Sequence, residues 1–185
     1  MKEFNPGLSL KIPAEEGIEF HPMETGTTFC ENAILKAGEL KKLLKRKDDI
    51  IIADDSGLCV DALDSRPGVN SAYYGEENGK KLSSREKNSL LLEELGIHPL
   101  RTAHFVCNMI LLLDYNRYFI VQETLDGEII RNTEPARGEN GFGYDPIFLL
   151  PHLGRTLAEL SDEEKNLISH RGKAGKQIAG ILARL

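Results

Sequence analysis

Apolar residues recur along this chain with two different periods, and the two together set out an α/β order. Ala33, Ala37, Leu40 and Leu44 follow one another at three- and four-residue steps, which lines one face of a helix. Thr28-Phe29-Cys30-Glu31 has the spacing of a capping box and opens that helix, which is expected to run to about Arg46. Ile50, Ile51 and Ile52 are β-branched, and Ile50 to Ala53 is continuously apolar, the character of a central strand buried on both faces. After Leu58-Cys59-Val60, Arg66-Pro67-Gly68 marks a turn. A second capping box, Ser83 to Glu86, starts a helix carrying Leu90, Leu91 and Leu95 that Gly96 should stop. Ala103 to Leu113 and Tyr118 to Glu123 flank Asp114-Tyr115-Asn116-Arg117 as a β-hairpin, and Gly127 to Ile130 reads as a further strand. A third box, Ser161 to Glu164, precedes a last helix with Ala174, Ile178, Ile181, Leu182 and Leu185 as its core stripe. The pattern is α/β with a mixed sheet. There is no repeat, low-complexity tract or linker, so residues 1–185 are read as a single domain.

Polar clusters break this pattern, and each has a bland and a chemical reading. Ile51-Ile52-Ala53 ends in Asp54-Asp55-Ser56-Gly57, which reads as a catalytic strand end or as an Asx-type turn. Neighbouring side chains of an extended segment point to opposite sides, so Asp54 and Asp55 should hold separate jobs rather than form a facing dyad. Glu24 precedes the first helix, where a carboxylate also suits the helix dipole, and Glu31 fits the capping box better than a ligand set. Lys36 either lies in solvent or reaches inward to a phosphate. Gly138-Glu139-Asn140-Gly141-Phe142-Gly143-Tyr144-Asp145-Pro146 is a glycine-dense loop with aromatic faces and an acid that accepts N–H groups, a fit for a base-binding wall or for a plain turn. It lacks the spacing of a phosphate loop. On one unbroken helix Lys165, His170 and Arg171 would diverge. A break near Ser169 would let them converge.

Composition narrows the classes. The formal net charge of -6 argues against non-specific binding to nucleic acid or anionic membrane. Cys30, Cys59 and Cys107 are far apart without a CxxC pair, which opposes a zinc site or a disulfide framework and fits a reducing cytoplasm. No apolar run has transmembrane length and no secretory apolar region opens the chain.

Taken together, the segments Glu24-Thr25-Gly26 to Phe29 with Glu31-Asn32-Ala33, Ala53-Asp54-Asp55-Ser56-Gly57-Leu58, Pro67-Gly68-Val69, Gly141-Phe142-Gly143-Tyr144-Asp145-Pro146 and Glu164-Lys165-Asn166 with Ser169-His170-Arg171 resemble the inosine triphosphate pyrophosphatase family, the XTP/dITP diphosphatases. The resemblance covers almost the whole chain. It implies an elongated mixed α/β fold with flanking helices and a central nucleotide-binding cleft, a cytoplasmic homodimer, and Mg2+-dependent hydrolysis of ITP, dITP and XTP to monophosphate and pyrophosphate. Carried onto this chain, Glu24 and Asp55 would bind Mg2+, Asp55 would accept a proton from the attacking water, and Lys36 would contact the phosphates. Ser56 would touch the substrate, Phe142, Gly143, Tyr144 and Asp145 the base, and Lys165, His170 and Arg171 would complete the purine pocket. The family's Ser/Thr-x-Asn-x-x-Lys segment has no counterpart here, since the third residue after Asn5 is Leu8. The chain is therefore expected to be N-terminally incomplete relative to the family. A pyrophosphatase for other modified nucleotides, or a nucleotide-binding relative without turnover, is the alternative reading.

Overall fold

Three helices begin where a side chain caps them. α1 (Phe29–Leu43), α2 (Ser84–Leu95) and α3 (Asp162–Ile168) start after Thr28, Ser83 and Ser161, whose hydroxyls accept the backbone N–H of Glu31, Glu86 and Glu164. Each of these glutamates reaches back to its cap residue's N–H, so donors that the helix leaves unpaired are met from both sides. The computed structural model describes residues 9–46, 48–77, 79–131 and 135–185. The departure from the family pattern at Asn5 and Leu8 lies outside the described residues.

α1 stops at Leu43, short of the expected Arg46, and Gly96 ends α2 as expected, with φ 48°. Ser169 is extended (φ -66°, ψ 152°) between α3 and α4 (His170–Leu182). The chain thus breaks where convergence of Lys165, His170 and Arg171 requires it. Leu185, expected in the last core stripe, lies past α4 and is exposed.

Among the described residues a five-stranded sheet has the order β1-β2-β3-β4-β5. β1 is Ile51–Val60, β2 Thr102–Asp114, β3 Arg117–Ile129, β4 Phe148–Leu150 and β5 Arg155–Thr156. β3 and β4 pair antiparallel with Glu128 opposite Leu149, and β4 and β5 pair antiparallel with Leu149 opposite Thr156. Two expectations are corrected here. Among the described residues β1 is a terminal strand of the sheet rather than its centre, and Asp54, Asp55 and Ser56 lie in its interior rather than at its end. The strand continues through two carboxylates because side chains from the helices pair both of them, as described below. The separate strand expected at Gly127 to Ile130 is instead the continuation of β3.

The chain divides into two compact units, Met1–Ser56 with Cys107–Glu123 and Arg171–Leu185, and Gly57–Val106 with Thr124–His170. In the first unit, Ala33, Ala37, Ile51, Ile110 and Leu112 form one buried cluster, and Cys107, Met109, Leu111, Val121, Ala174 and Ile178 another. The second unit has a larger core around Leu58, Leu91, Phe105, Ile129, Phe148 and Leu157. Burying one such leucine or phenylalanine side chain contributes roughly 1.5–3 kcal/mol. Arg101 is itself buried and clamps this unit, donating to the carbonyls of Gly96, Ile129 and Ile130. Among the described residues no helix is long and apolar enough to cross a membrane.

Candidate functional site

The first unit gathers its carboxylates around one lysine. Lys36, two turns into α1, is 17% exposed and brings its Nζ to 3.0 Å from Glu24 Oε1 and 2.7 Å from Asp55 Oδ1. The same Nζ donates to the Asp54 carbonyl at 3.2 Å, so the three protons of the ammonium meet three oxygens. Burial, the largest influence, pulls the Lys36 pKa down, but hydrogen bonds and charge from Asp55 and Glu24 outweigh it and raise it. Asp55 is buried on β1. Burial pushes its carboxyl above the ordinary value, more than the hydrogen bonds from Lys36 and Asn32 lower it. Carboxyls perturbed by burial and a specific charged partner recur at functional sites.

Glu31 belongs to the helix start, as its spacing indicates. Its Oε2 accepts from Thr27 N at 2.7 Å, Thr27 Oγ1 at 2.9 Å and Thr28 N at 3.1 Å, and these bonds, the Thr27 hydroxyl first, hold its pKa down. Thr27 and Thr28 are thereby fixed onto the first turn of α1.

Asp54 faces other partners, in keeping with the alternation of a strand. Its Oδ2 accepts from Arg171 Nε at 2.9 Å and from Ser56 Oγ at 3.0 Å. Near Ser56, burial raises the Cys107 thiol to about 11, which keeps it protonated and inert near neutrality.

In the second unit, the glycine-dense loop folds around Asp145. This buried carboxylate accepts the Phe142 backbone N–H at 2.7 Å and Lys165 Nζ at 2.5 Å through one oxygen, Oδ2. Lys165 Nζ also stands 4.8 Å from the centre of the Phe142 ring, within cation–π range. Gly141 has φ +77°, and a Cβ there would fall 2.2 Å from Asp145 Oδ2. Glycine is therefore required for the ion pair to close over the loop. Phe142 is 64% exposed, whereas Tyr144 is in the core and donates its hydroxyl to the Ser71 carbonyl at 3.0 Å. Of the two aromatics in the loop, Phe142 is the one whose ring is open to a ligand. His170 is buried, and its ring stacks on Phe105 with centroids 4.8 Å apart.

Glu24, Lys36 and Asp55 thus meet, as do Arg171, Asp54 and Ser56, and as do Phe142, Asp145 and Lys165. Lys165, His170 and Arg171 each take a different partner: Asp145, Phe105 and Asp54. The sequence reading missed Asn32, which donates Nδ2 to Asp55 Oδ2 at 3.2 Å. It also missed Asn88, whose Nδ2 donates to the Gly143 carbonyl at 3.1 Å. A buried asparagine among apolar helix neighbours is a weak but usable signal for such a role.

A divalent cation fits the first cluster. Mg2+ is held through one or two carboxylates together with substrate phosphates and water. Glu24 and Asp55 supply that pair, already brought to a single cationic point by Lys36. Among the described residues no group of three or more His, Cys, Asp or Glu side chains gathers to hold a metal by protein ligands alone, so a cation between these two carboxylates would take its remaining ligands from phosphate or water oxygens.

Residues 1–181 match the family model described as the Ham1 family. A Treponema denticola protein named dITP/XTP pyrophosphatase is 48% identical over 174 residues, which span 94% of this chain and 87% of that protein. One of the same name from Geobacillus kaustophilus is 50% identical over 153 residues, 82% of this chain and 71% of the relative. The solved structure of the Staphylococcus aureus Ham1 protein superposes with a TM-score of 0.85 at 40% identity, covering 98% of this chain and 90% of that one.

Proposed function

The chain belongs to the Ham1 family, and from that membership we propose that it hydrolyses the non-standard purine nucleoside triphosphates ITP, dITP and XTP to monophosphate and pyrophosphate, removing them from the nucleotide pool. The observation that carries this reading is the meeting of Glu24, Lys36 and Asp55 in a family whose similar members bear the name dITP/XTP pyrophosphatase.

In this proposal Glu24 and Asp55 would hold Mg2+, which when bound would neutralise charge at the phosphates and ease deprotonation of water. Asp55 accepts the proton of the attacking water, whose oxygen bonds to the α-phosphorus. The bond from the α-phosphorus to the bridging oxygen breaks, and pyrophosphate leaves with the electron pair. Lys36, charged near neutrality, offsets negative charge on the phosphates. Ser56 contacts the substrate, its hydroxyl proton being held by Asp54.

Phe142 offers a stacking face to the base, with Gly143, Tyr144 and Asp145 shaping the loop around it. Lys165, His170 and Arg171 complete base recognition, as the family resemblance implies. The purines of ITP and XTP carry a 6-oxo group where adenine carries an amino group. A donor aimed at the oxo group is left unpaired by adenine, which disfavours ATP. We further propose that the protein acts in the cytoplasm and as a homodimer; sedimentation of the purified chain tests the dimer.

A panel of nucleotides tests the function. With Mg2+ present, ITP, dITP and XTP should each be turned over with kcat/KM well above that for ATP. Equal efficiencies would point to a pyrophosphatase for other nucleotides, and binding of ITP without turnover would point to a non-catalytic relative.

A further inference from the structure

Asn32 lies in the first turn of α1 and is 2% exposed, so its amide has no solvent to bond. Both ends of that amide are used. Oδ1 accepts the backbone N–H of Gly26 at 2.8 Å, and Nδ2 donates to Asp55 Oδ2 at 3.2 Å. Gly26 belongs to the turn that carries Glu24. A Cβ at Gly26 would stand 2.6 Å from Asn32 Oδ1 and 2.7 Å from Glu31 Cβ, so a side chain there would force the backbone away from the amide. The other oxygen of Asp55, Oδ1, takes Lys36 Nζ at 2.7 Å. Residues 32 and 36 are one helical turn apart on the same face of α1, and between them they grip both oxygens of one carboxylate.

We infer that Asn32 is a positioning residue for the reaction, fixing the plane of the Asp55 carboxylate and tying the Glu24 turn to it through Gly26. This inference rests on the reading of Glu24 and Asp55 given above and adds to it the part that holds them in register. Asn32 need not touch substrate. The chemistry of the side chain is specific: the position requires an acceptor toward Gly26 and a donor toward Asp55 at the reach of a short amide. Serine is too short, leucine has neither group, and ionised aspartate has no donor. Without the donor, the Asp55 carboxylate is held from one side only and is free to turn about its last torsion. Partners that orient a metal-binding carboxylate in this way cost about 10- to 100-fold in affinity or activity when removed.

Two variants and one amide test it. Asn32→Ala removes both bonds, and Asn32→Asp keeps the acceptor toward Gly26 while removing the donor to Asp55. In both, kcat for ITP should fall about 10- to 100-fold while KM changes by less than about 3-fold, because transition-state alignment is lost rather than substrate binding. Hydrogen exchange at the Gly26 amide, followed in nucleotide-free protein, should be protected in the wild type and in Asn32→Asp and fast in Asn32→Ala. A role confined to stability would lower the melting temperature and leave kcat of the folded variant unchanged, and that result overturns the inference. Unprotected exchange at Gly26 in the wild type overturns it without any variant having to fold. A wild type inert toward ITP, dITP and XTP would defeat the functional reading instead, while the exchange data would still report on the tie itself.

Discussion

Asp54 and Asp55 are adjacent on one strand and serve different partners, Arg171 with Ser56 on one side and Lys36 with Asn32 on the other. Asp55→Asn keeps the shape and removes the charge proposed to accept a proton, so turnover of ITP should fall by at least ~100-fold with the fold intact, as steady-state kinetics and circular dichroism would check. Retained turnover would move the chemistry off Asp55. His170→Ala should lower efficiency with ITP more than with ATP, narrowing the ratio by roughly 5- to 150-fold, the worth of one buried hydrogen bond. An unchanged ratio would leave His170 as a ring packed on Phe105. The cysteines give a pH test of burial. Cys107 is raised from an ordinary 9.0 to about 11 by burial, so across that window the folded state holds the thiol proton more tightly and stability falls as pH rises. Alkylation of the native protein at mildly alkaline pH should label the half-buried Cys30 and spare the buried Cys59 and Cys107 until the protein unfolds. The pairing of Glu24 with Asp55 through Lys36 is not legible in residue patterns, because it depends on how α1 packs on β1. The resemblance named those residues, and only the fold supplies their geometry.

Helix starts were the most legible elements, because a capping box is a local device whose hydrogen bonds close within four residues. Thr28, Ser83 and Ser161 all cap as their spacing indicates. β4 and β5 were not foreseen: they are three and two residues long and exist only by pairing with β3 and with each other. The interior place of Asp54 and Asp55 in β1 was likewise hidden, since two acids after an apolar run resemble a turn until their distant partners are known. The caps also carry an acid-side prediction. Glu31 is held below the ordinary 4.5 chiefly by the Thr27 hydroxyl, Glu86 by the Ser83 backbone and Glu164 by Arg155 and then Ser161. A carboxylate depressed in the folded state contributes stability above its unfolded pKa and loses it as pH falls through the folded one. Melting temperature should therefore drop as pH falls below about 4.5. A variant with glutamine at all three positions should melt lower than wild type near neutrality and converge with it in acid. A constant gap across that range would mean that the caps do not account for the acid sensitivity.

At the scale of the whole molecule, an acidic chain with a net charge of -6 is proposed to bind a polyanionic substrate. Each unit holds cations paired with carboxylates, Lys36 and Arg171 in the first and Lys165 in the second, and these are the groups proposed to meet the substrate's charge. Substrate and Mg2+ together would exchange those internal pairs for new ones, so activity should vanish on chelation and return on adding Mg2+. Turnover of ITP in water enriched in heavy oxygen shows most directly whether water attacks the α-phosphorus. The label should enter inosine monophosphate, and pyrophosphate should be released unlabelled. Label in pyrophosphate, or release of single orthophosphate, would contradict it.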